Sequence, residues 1–170
     1  MFPPKIFLVG MPGSGKSTFG EQLAQELGYL FLDLDDEIEK QQKTTIKDIF
    51  ERSGEHEFRQ MESQCLKELS FSKDSFVMSC GGGTPCFNDN MGFIKRQGYS
   101  VFLNTPVDSL VERLKKTELS MRPLVSKMVE SDLRKPLEDQ LKNRLPFYQL
   151  ADLQWDQTQP VEDIINILDI

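Results

Sequence analysis

A chain of 170 residues, 38% hydrophobic and 28% charged, can fill the core of one domain and has neither a disordered nor a fibrous composition. Twenty Lys and Arg against 27 Asp and Glu leave a net charge of −7, which excludes a general nucleic-acid coat but not a small anion held by a local basic cluster. The apolar run at residues 6–9 is too short for a membrane span or a signal peptide, and three cysteines with one histidine make neither a CxxC pair nor a zinc site. The expectation is a cytoplasmic monomer with no nucleic-acid or membrane partner, whose Cys65, Cys80 and Cys86 are reduced thiols.

Residues 5–10 read as a buried strand. Residues 16–27 read as a helix, with Phe19, Leu23, Ala24 and Leu27 at helical spacing and Gly28 as its stop. A second strand is expected over 29–34, then an acidic helix over 35–41. A short helix over 45–52 should break at Gly54, and another should run over 55–69. Residues 75–79 form a third strand that enters Gly81-Gly82-Gly83, and a helix follows over 88–97. Strand 99–103 and helix 107–116 come next. The stretch 118–130 has no clear period and contains Pro123, so a loop or lid is expected over about 117–130. A helix over 131–148 should break late at Pro146. A short strand spans 153–155, and Pro160 opens the last helix. Strand and helix alternate about five times, which specifies a parallel α/β sheet with right-handed crossovers.

The sharpest local signal is Gly10-Met11-Pro12-Gly13-Ser14-Gly15-Lys16-Ser17, which satisfies GxxxxGK[ST] at every fixed position. Glycines let backbone N–H groups converge on a phosphate, and the helix that follows offers its N-terminus to the anion. Lys16 can reach the β- and γ-phosphates, and the Ser17 hydroxyl is placed for Mg²⁺. An apolar strand runs in and an amphipathic helix runs out, as a phosphate loop requires. The chain is therefore expected to bind a nucleoside triphosphate with Mg²⁺.

Other residues must show where the phosphate goes. Asp33 and Asp35 lie at the C-terminal end of the second strand, the edge that faces the ligand crevice in such sheets. They could divide the work between a metal-bound water and a substrate hydroxyl, or the acids here could simply cap the next helix. Ser79 and the three glycines could admit a ligand to the backbone, or form a plain turn. Arg59 has Glu62 one turn on to hold it. Arg122 precedes Pro123-Leu124, and Arg144 precedes Leu145-Pro146-Phe147-Tyr148. Each alone reads as a solvated arginine, but an anionic substrate would favour such planar forks.

Taken together these segments resemble the shikimate kinase family over essentially the whole chain. The resemblance rests on residues 10–18, on Phe31-Leu32-Asp33-Leu34-Asp35, and on Gly54-Glu55-His56-Glu57-Phe58-Arg59 with Glu62. It rests equally on Ser79-Cys80-Gly81-Gly82-Gly83, on Arg122-Pro123-Leu124 and on Arg144-Leu145-Pro146-Phe147-Tyr148. It implies a three-layer α/β/α P-loop kinase fold with a five-stranded parallel sheet and a closing lid. It also implies one domain over 1–170, with substrate-binding helices over about 34–62. The implied reaction is Mg²⁺-dependent transfer of the γ-phosphoryl group of ATP to the 3-hydroxyl of shikimate, a step of aromatic amino-acid biosynthesis.

By the same resemblance Gly13, Ser14, Gly15, Lys16, Ser17 and Thr18 would hold the nucleotide, and Arg113 would pack on adenine. Asp35, with the glycines Gly81, Gly82 and Gly83, would take the shikimate hydroxyls. Arg59 and Arg144 would take its carboxylate. Ser17 and Asp33 would serve Mg²⁺, with Ser79 acting through water. Lys16 and Arg122 would neutralise the transferring group. The stretch between Arg113 and Arg122 is slightly longer than in many members. Two rivals share the phosphate loop. A gluconate kinase-like enzyme would not need two arginines placed for a ring carboxylate. A silent nucleotide-binding module would be marked by loss of Lys16, Asp35 or the arginines, and all are present.

Overall fold

The computed structural model describes residues 4–121, 130–156 and 158–168. Strands β1 (Lys5–Val9), β2 (Leu30–Asp33), β3 (Phe76–Ser79), β4 (Tyr99–Leu103) and β5 (Leu153–Trp155) form one sheet in the order β2-β3-β1-β4-β5. Every neighbouring pair is parallel. Among the described residues the helices are α1 (Lys16–Leu27), α2 (Leu34–Gln42), α3 (Ile46–Ser70), α4 (Asn90–Gln97), α5 (Val107–Met121), α6 (Glu130–Tyr148) and α7 (Val161–Leu168).

Strand alternation divides the core between two faces of the sheet. Ile6, Leu8, Val77, Val101 and Leu103 pack with Phe19 and Leu23 of α1 and with Ile164 and Leu168 of α7. Phe7, Val9, Phe76, Met78 and Phe102 point the other way. They meet Ile38 of α2, Phe58 and Leu66 of α3, Ile94 of α4, Leu110 of α5 and Tyr148 of α6. The result is the expected three-layer α/β/α arrangement. Trp155 of β5 is buried beside Phe19, with ring centroids 6.4 Å apart. Its Nε1 is the one buried side-chain polar atom among the described residues without a hydrogen-bond partner.

Strand register positions the site. Leu8 of β1 and Asp33 of β2 both pair with Ser79 of β3. The phosphate loop after β1, the acids after β2 and the glycines after β3 therefore emerge together at the C-terminal edge of the sheet, where ligands bind in open α/β folds.

Several element boundaries differ from expectation for identifiable reasons. α2 begins at Leu34 because Asp33 takes the N-cap, its Oδ1 accepting from the backbone N–H of Asp35 at 3.1 Å. α4 begins at Asn90 because Asn88 and Asp89 are both left-handed, with φ of 52°. A 3₁₀ turn, Thr84–Cys86, follows the glycines where no element was expected. α5 continues past residue 116 to Met121, through a stretch in which Glu118, Leu119 and Met121 favour a helix without an apolar repeat. α6 does not break at Pro146. It runs through Pro136 and Pro146 to Tyr148, which is fully buried and stacked on Phe102 at 5.1 Å. Pro160 stands just before α7 rather than at its first position. Gly54 does break the helical path, at φ 79° and ψ 176°, as its position predicts. The expected lid residues 122–129, Arg122 among them, lie outside the described residues. No helix among the described residues is long and apolar enough to cross a membrane.

Candidate active site

The phosphate loop is built from backbone. Gly13 and Gly15 adopt φ of 77° and 88°, a conformation that side chains disfavour. Gly15 caps α1 without a side-chain bond, so the N–H groups of the first turn face the crevice. Lys16 is buried and donates from Nζ to the carbonyls of Gly10 at 2.9 Å and Met11 at 2.8 Å, with Ser14 Oγ at 3.3 Å. Burial lowers its pKa to about 8, against the opposing pull of Cys80, Asp35 and Asp33. Ser17 Oγ donates to Asp33 Oδ2 at 2.6 Å and lies 3.3 Å from Ser79 Oγ. Asp33 thus works at both ends, capping α2 with one oxygen and holding Ser17 with the other.

Asp35, in the first turn of α2, is half-buried, and its pKa is raised to about 6. Burial is the main cause, followed by the like charges of Asp33 and Glu62. A pocket of about 190 Å³ opens beside it, with Arg59, the three glycines and Arg144 on its polar wall and Phe50 and Phe58 on its apolar one. The glycines are required by space. A Cβ at Gly81 would stand 3.0 Å from Asp35 Oδ1 and Glu62 Oε1. At Gly82 it would meet Pro12 Cδ at 2.6 Å and Arg144 Nη1 at 2.8 Å. At Gly83 it would meet Arg59 Nη2 at 2.5 Å.

The two arginines are held differently. Arg59 is buried, donates to Glu62 Oε2 at 2.8 Å and reaches Glu55 at 3.3 Å. Its guanidinium lies under the Phe87 ring at 4.3 Å and 5.0 Å from Phe58. Glu62, 1% exposed, also accepts from Thr84 Oγ1 at 2.6 Å. Asn90 donates to the Thr84 carbonyl at 3.0 Å and accepts from Ser63 at 2.8 Å, which closes a buried network around the Arg59–Glu62 pair. Arg144, from α6, is half-buried and forms no ion pair among the described residues. A second pocket, of about 280 Å³, runs along α1 past Gly15, Thr18 and Arg113, and Arg113 Nη1 donates to the Gly13 carbonyl at 3.3 Å.

The family model described as "Shikimate kinase" matches residues 12–168 of this chain. The chain belongs to the shikimate kinase family. A shikimate kinase of Clostridium botulinum (strain Loch Maree / Type A3) is 37% identical over 163 residues, covering 96% of this chain and 93% of that protein. The crystal structure of shikimate kinase from Bacteroides thetaiotaomicron superposes with a TM-score of 0.89 at 34% identity, covering 98% of this chain and 99% of that one. Shikimate kinase from Acinetobacter baumannii, in complex with shikimate, gives 0.82 at 36% identity over 98% and 94% of the two chains.

For a member of the shikimate kinase family, the structure gathers nearly all the residues the sequence singles out. Lys16, Ser17, Asp33 and Ser79 meet at the phosphate loop. Asp35, Arg59, Gly81, Gly82, Gly83 and Arg144 meet in one pocket, and Arg113 lies at the other. Arg122 falls outside the described residues. Sequence reasoning passed over Thr84, Phe87 and Asn90, which have no motif or helical spacing to mark them. Tyr148 did carry a signal, because it stands four residues after Arg144 and so shares its helix face.

Proposed function

We propose that this chain transfers the γ-phosphoryl group of ATP to the 3-hydroxyl of shikimate, with Mg²⁺, releasing shikimate 3-phosphate and ADP. One observation carries the reading. A single pocket is lined both by a carboxylate for a hydroxyl acceptor, Asp35, and by two arginines for a carboxylate, Arg59 and Arg144. Shikimate offers both groups, whereas gluconate lacks the ring that the Phe50 and Phe58 wall suits. The relative from Acinetobacter baumannii is in complex with shikimate, which supports the same assignment.

Phosphoryl transfer asks the protein to align two substrates and to stabilise charge. The nucleotide phosphates belong in the loop where Lys16 now donates to carbonyls, so Lys16 exchanges the Gly10 and Met11 oxygens for phosphate oxygens. Backbone N–H groups from Gly13 to Thr18 cradle the same anion, and Arg113 packs on the adenine in the pocket along α1. The donor set fits Mg²⁺: Ser17, Asp33 and Ser79 offer hard oxygens. Among the described residues no group of three or more His, Cys, Asp or Glu could hold a metal, so phosphate oxygens and water must complete the shell. When bound, Mg²⁺ supplies neutralisation at the β- and γ-phosphates.

Asp35 orients the 3-hydroxyl and accepts its proton, and a pKa near 6 keeps it ionised and basic at neutral pH. Arg59, already aimed by Glu62, and Arg144 hold the carboxylate at the far end of the ring. Arg122 adds positive charge beside the transferring group.

The test is ADP release with Mg·ATP in the presence of shikimate, gluconate or a nucleoside monophosphate. Strong stimulation by shikimate alone is expected. Turnover on another acceptor, without response to shikimate, would overturn the assignment of the pocket.

A further inference from the structure

We infer that Tyr148 is a positioning residue for the acceptor's carboxylate, confining Arg144 through the bond from its hydroxyl to Gly82. The inference rests on the reading of Arg144 as a carboxylate clamp. Tyr148 is fully buried, and its ring is fixed by stacking on Phe102 of β4 at 5.1 Å and 29°. The hydroxyl projects out of that apolar contact into the seam between the phosphate loop and the glycine turn. There it donates to the Gly82 carbonyl at 2.5 Å and lies 3.7 Å from Met11 Sδ. The Arg144 guanidinium stands one helical turn earlier on α6 and lies against the same glycine, where a Cβ would come 2.8 Å from its Nη1.

Arg59 has two carboxylates and two aromatic faces to fix it, but Arg144 has no ion pair among the described residues. Arginine loses considerable rotamer freedom when it is fixed on a ligand. A rigid phenol bonded to the Gly82 carbonyl fixes the backbone that the guanidinium lies against, and so confines Arg144 before substrate arrives. It does so without an acid, which would compete with the substrate carboxylate. The same bond fixes the Gly82 backbone at the point where a Cβ would strike Arg144 Nη1. Tyr148 therefore sets both the guanidinium and the wall it lies against.

The test is Tyr148→Phe, which keeps the ring on Phe102 and removes only the hydroxyl. Steady-state kinetics should show KM for shikimate raised about tenfold, with kcat and KM for ATP within about twofold of native, the size expected when a substrate clamp is slightly misplaced. In an Arg144→Ala background the same replacement should cost less than about twofold more, because its effect runs through Arg144. Two results would overturn the inference: a native shikimate KM in Tyr148→Phe, or an equal loss with and without Arg144, which would mark a structural role only. A native shikimate KM in Arg144→Ala alone would instead overturn the parent reading of the clamp, and this inference with it.

Discussion

Asp35 is held near pH 6 by burial and then by Asp33 and Glu62, a shift that acts in opposite directions on stability and on chemistry. A carboxyl whose folded-state pKa is raised binds its proton more tightly in the folded than in the unfolded protein. Its ionisation costs stability as pH climbs from about 4 to about 6, and the whole cost stands above that window. Asp35→Asn should therefore melt higher than native at about pH 8 in metal-free, ligand-free buffer, with the gain lost below about pH 4. The same change removes the proposed proton acceptor, and kcat should fall by about 10²–10⁴. A melting curve at pH 8 matching native would contradict the burial argument, and near-native turnover would contradict the role. The arginines divide along a similar line. Arg144 has no acidic partner to strand among the described residues, so Arg144→Ala should raise the shikimate Kd by about thirtyfold, or about 2 kcal/mol, while the fold and ATP affinity hold. Arg59→Ala would leave Glu62 buried and unpaired, and titration with denaturant should show about 3 kcal/mol of lost stability as well.

The connection from β3 to the 3₁₀ turn at Thr84–Cys86 shows how an element can be shaped by its neighbours. Gly83→Ala places a methyl 2.5 Å from Arg59 Nη2, and Arg59 is pinned by Glu62 and covered by Phe87, so it has no room to yield. The variant should fold and bind ATP, yet its KM for shikimate should rise by about tenfold or more, since a small misplacement of a clamp is enough. A native KM would mean that the guanidinium relocates freely. The glycines themselves were legible in the sequence, but the reason for them was not. It depends on side chains arriving from α2, α3 and α6, far apart in the chain. The phosphate loop and the alternation of strand and helix were readable because their spacing is local. The Asn90–Thr84–Glu62 network was not, because hydrogen bonds between distant elements leave no period. Pro146 misled for a related reason: local propensity argues for a break, and the buried Tyr148 ring holds the last turn in spite of it.

Across the whole molecule, one sheet edge brings the phosphate loop and the Asp35 pocket together, and Asp33 ties Ser17 of α1 to the first turn of α2. On the proposed reading, Lys16 and Arg122 both supply charge to the transferring group. Arg122→Ala should depress kcat by about 10²–10³, the usual loss for one donor to a developing charge, and leave the shikimate Kd within about threefold of native. Equal turnover in the variant would remove Arg122 from the reaction.

The single tryptophan of the chain is Trp155, and its position makes it a built-in optical reporter. The indole is buried against Phe19, one turn along α1 from Lys16, on the sheet face opposite Phe58 and Tyr148. Its N–H is buried with no hydrogen-bond partner among the described residues, so native emission should lie well to the blue of the unfolded chain's. Because the light comes from the face that carries α1, Mg·ATP should perturb it more than shikimate does. The two ligands can then be followed separately in the unlabelled protein.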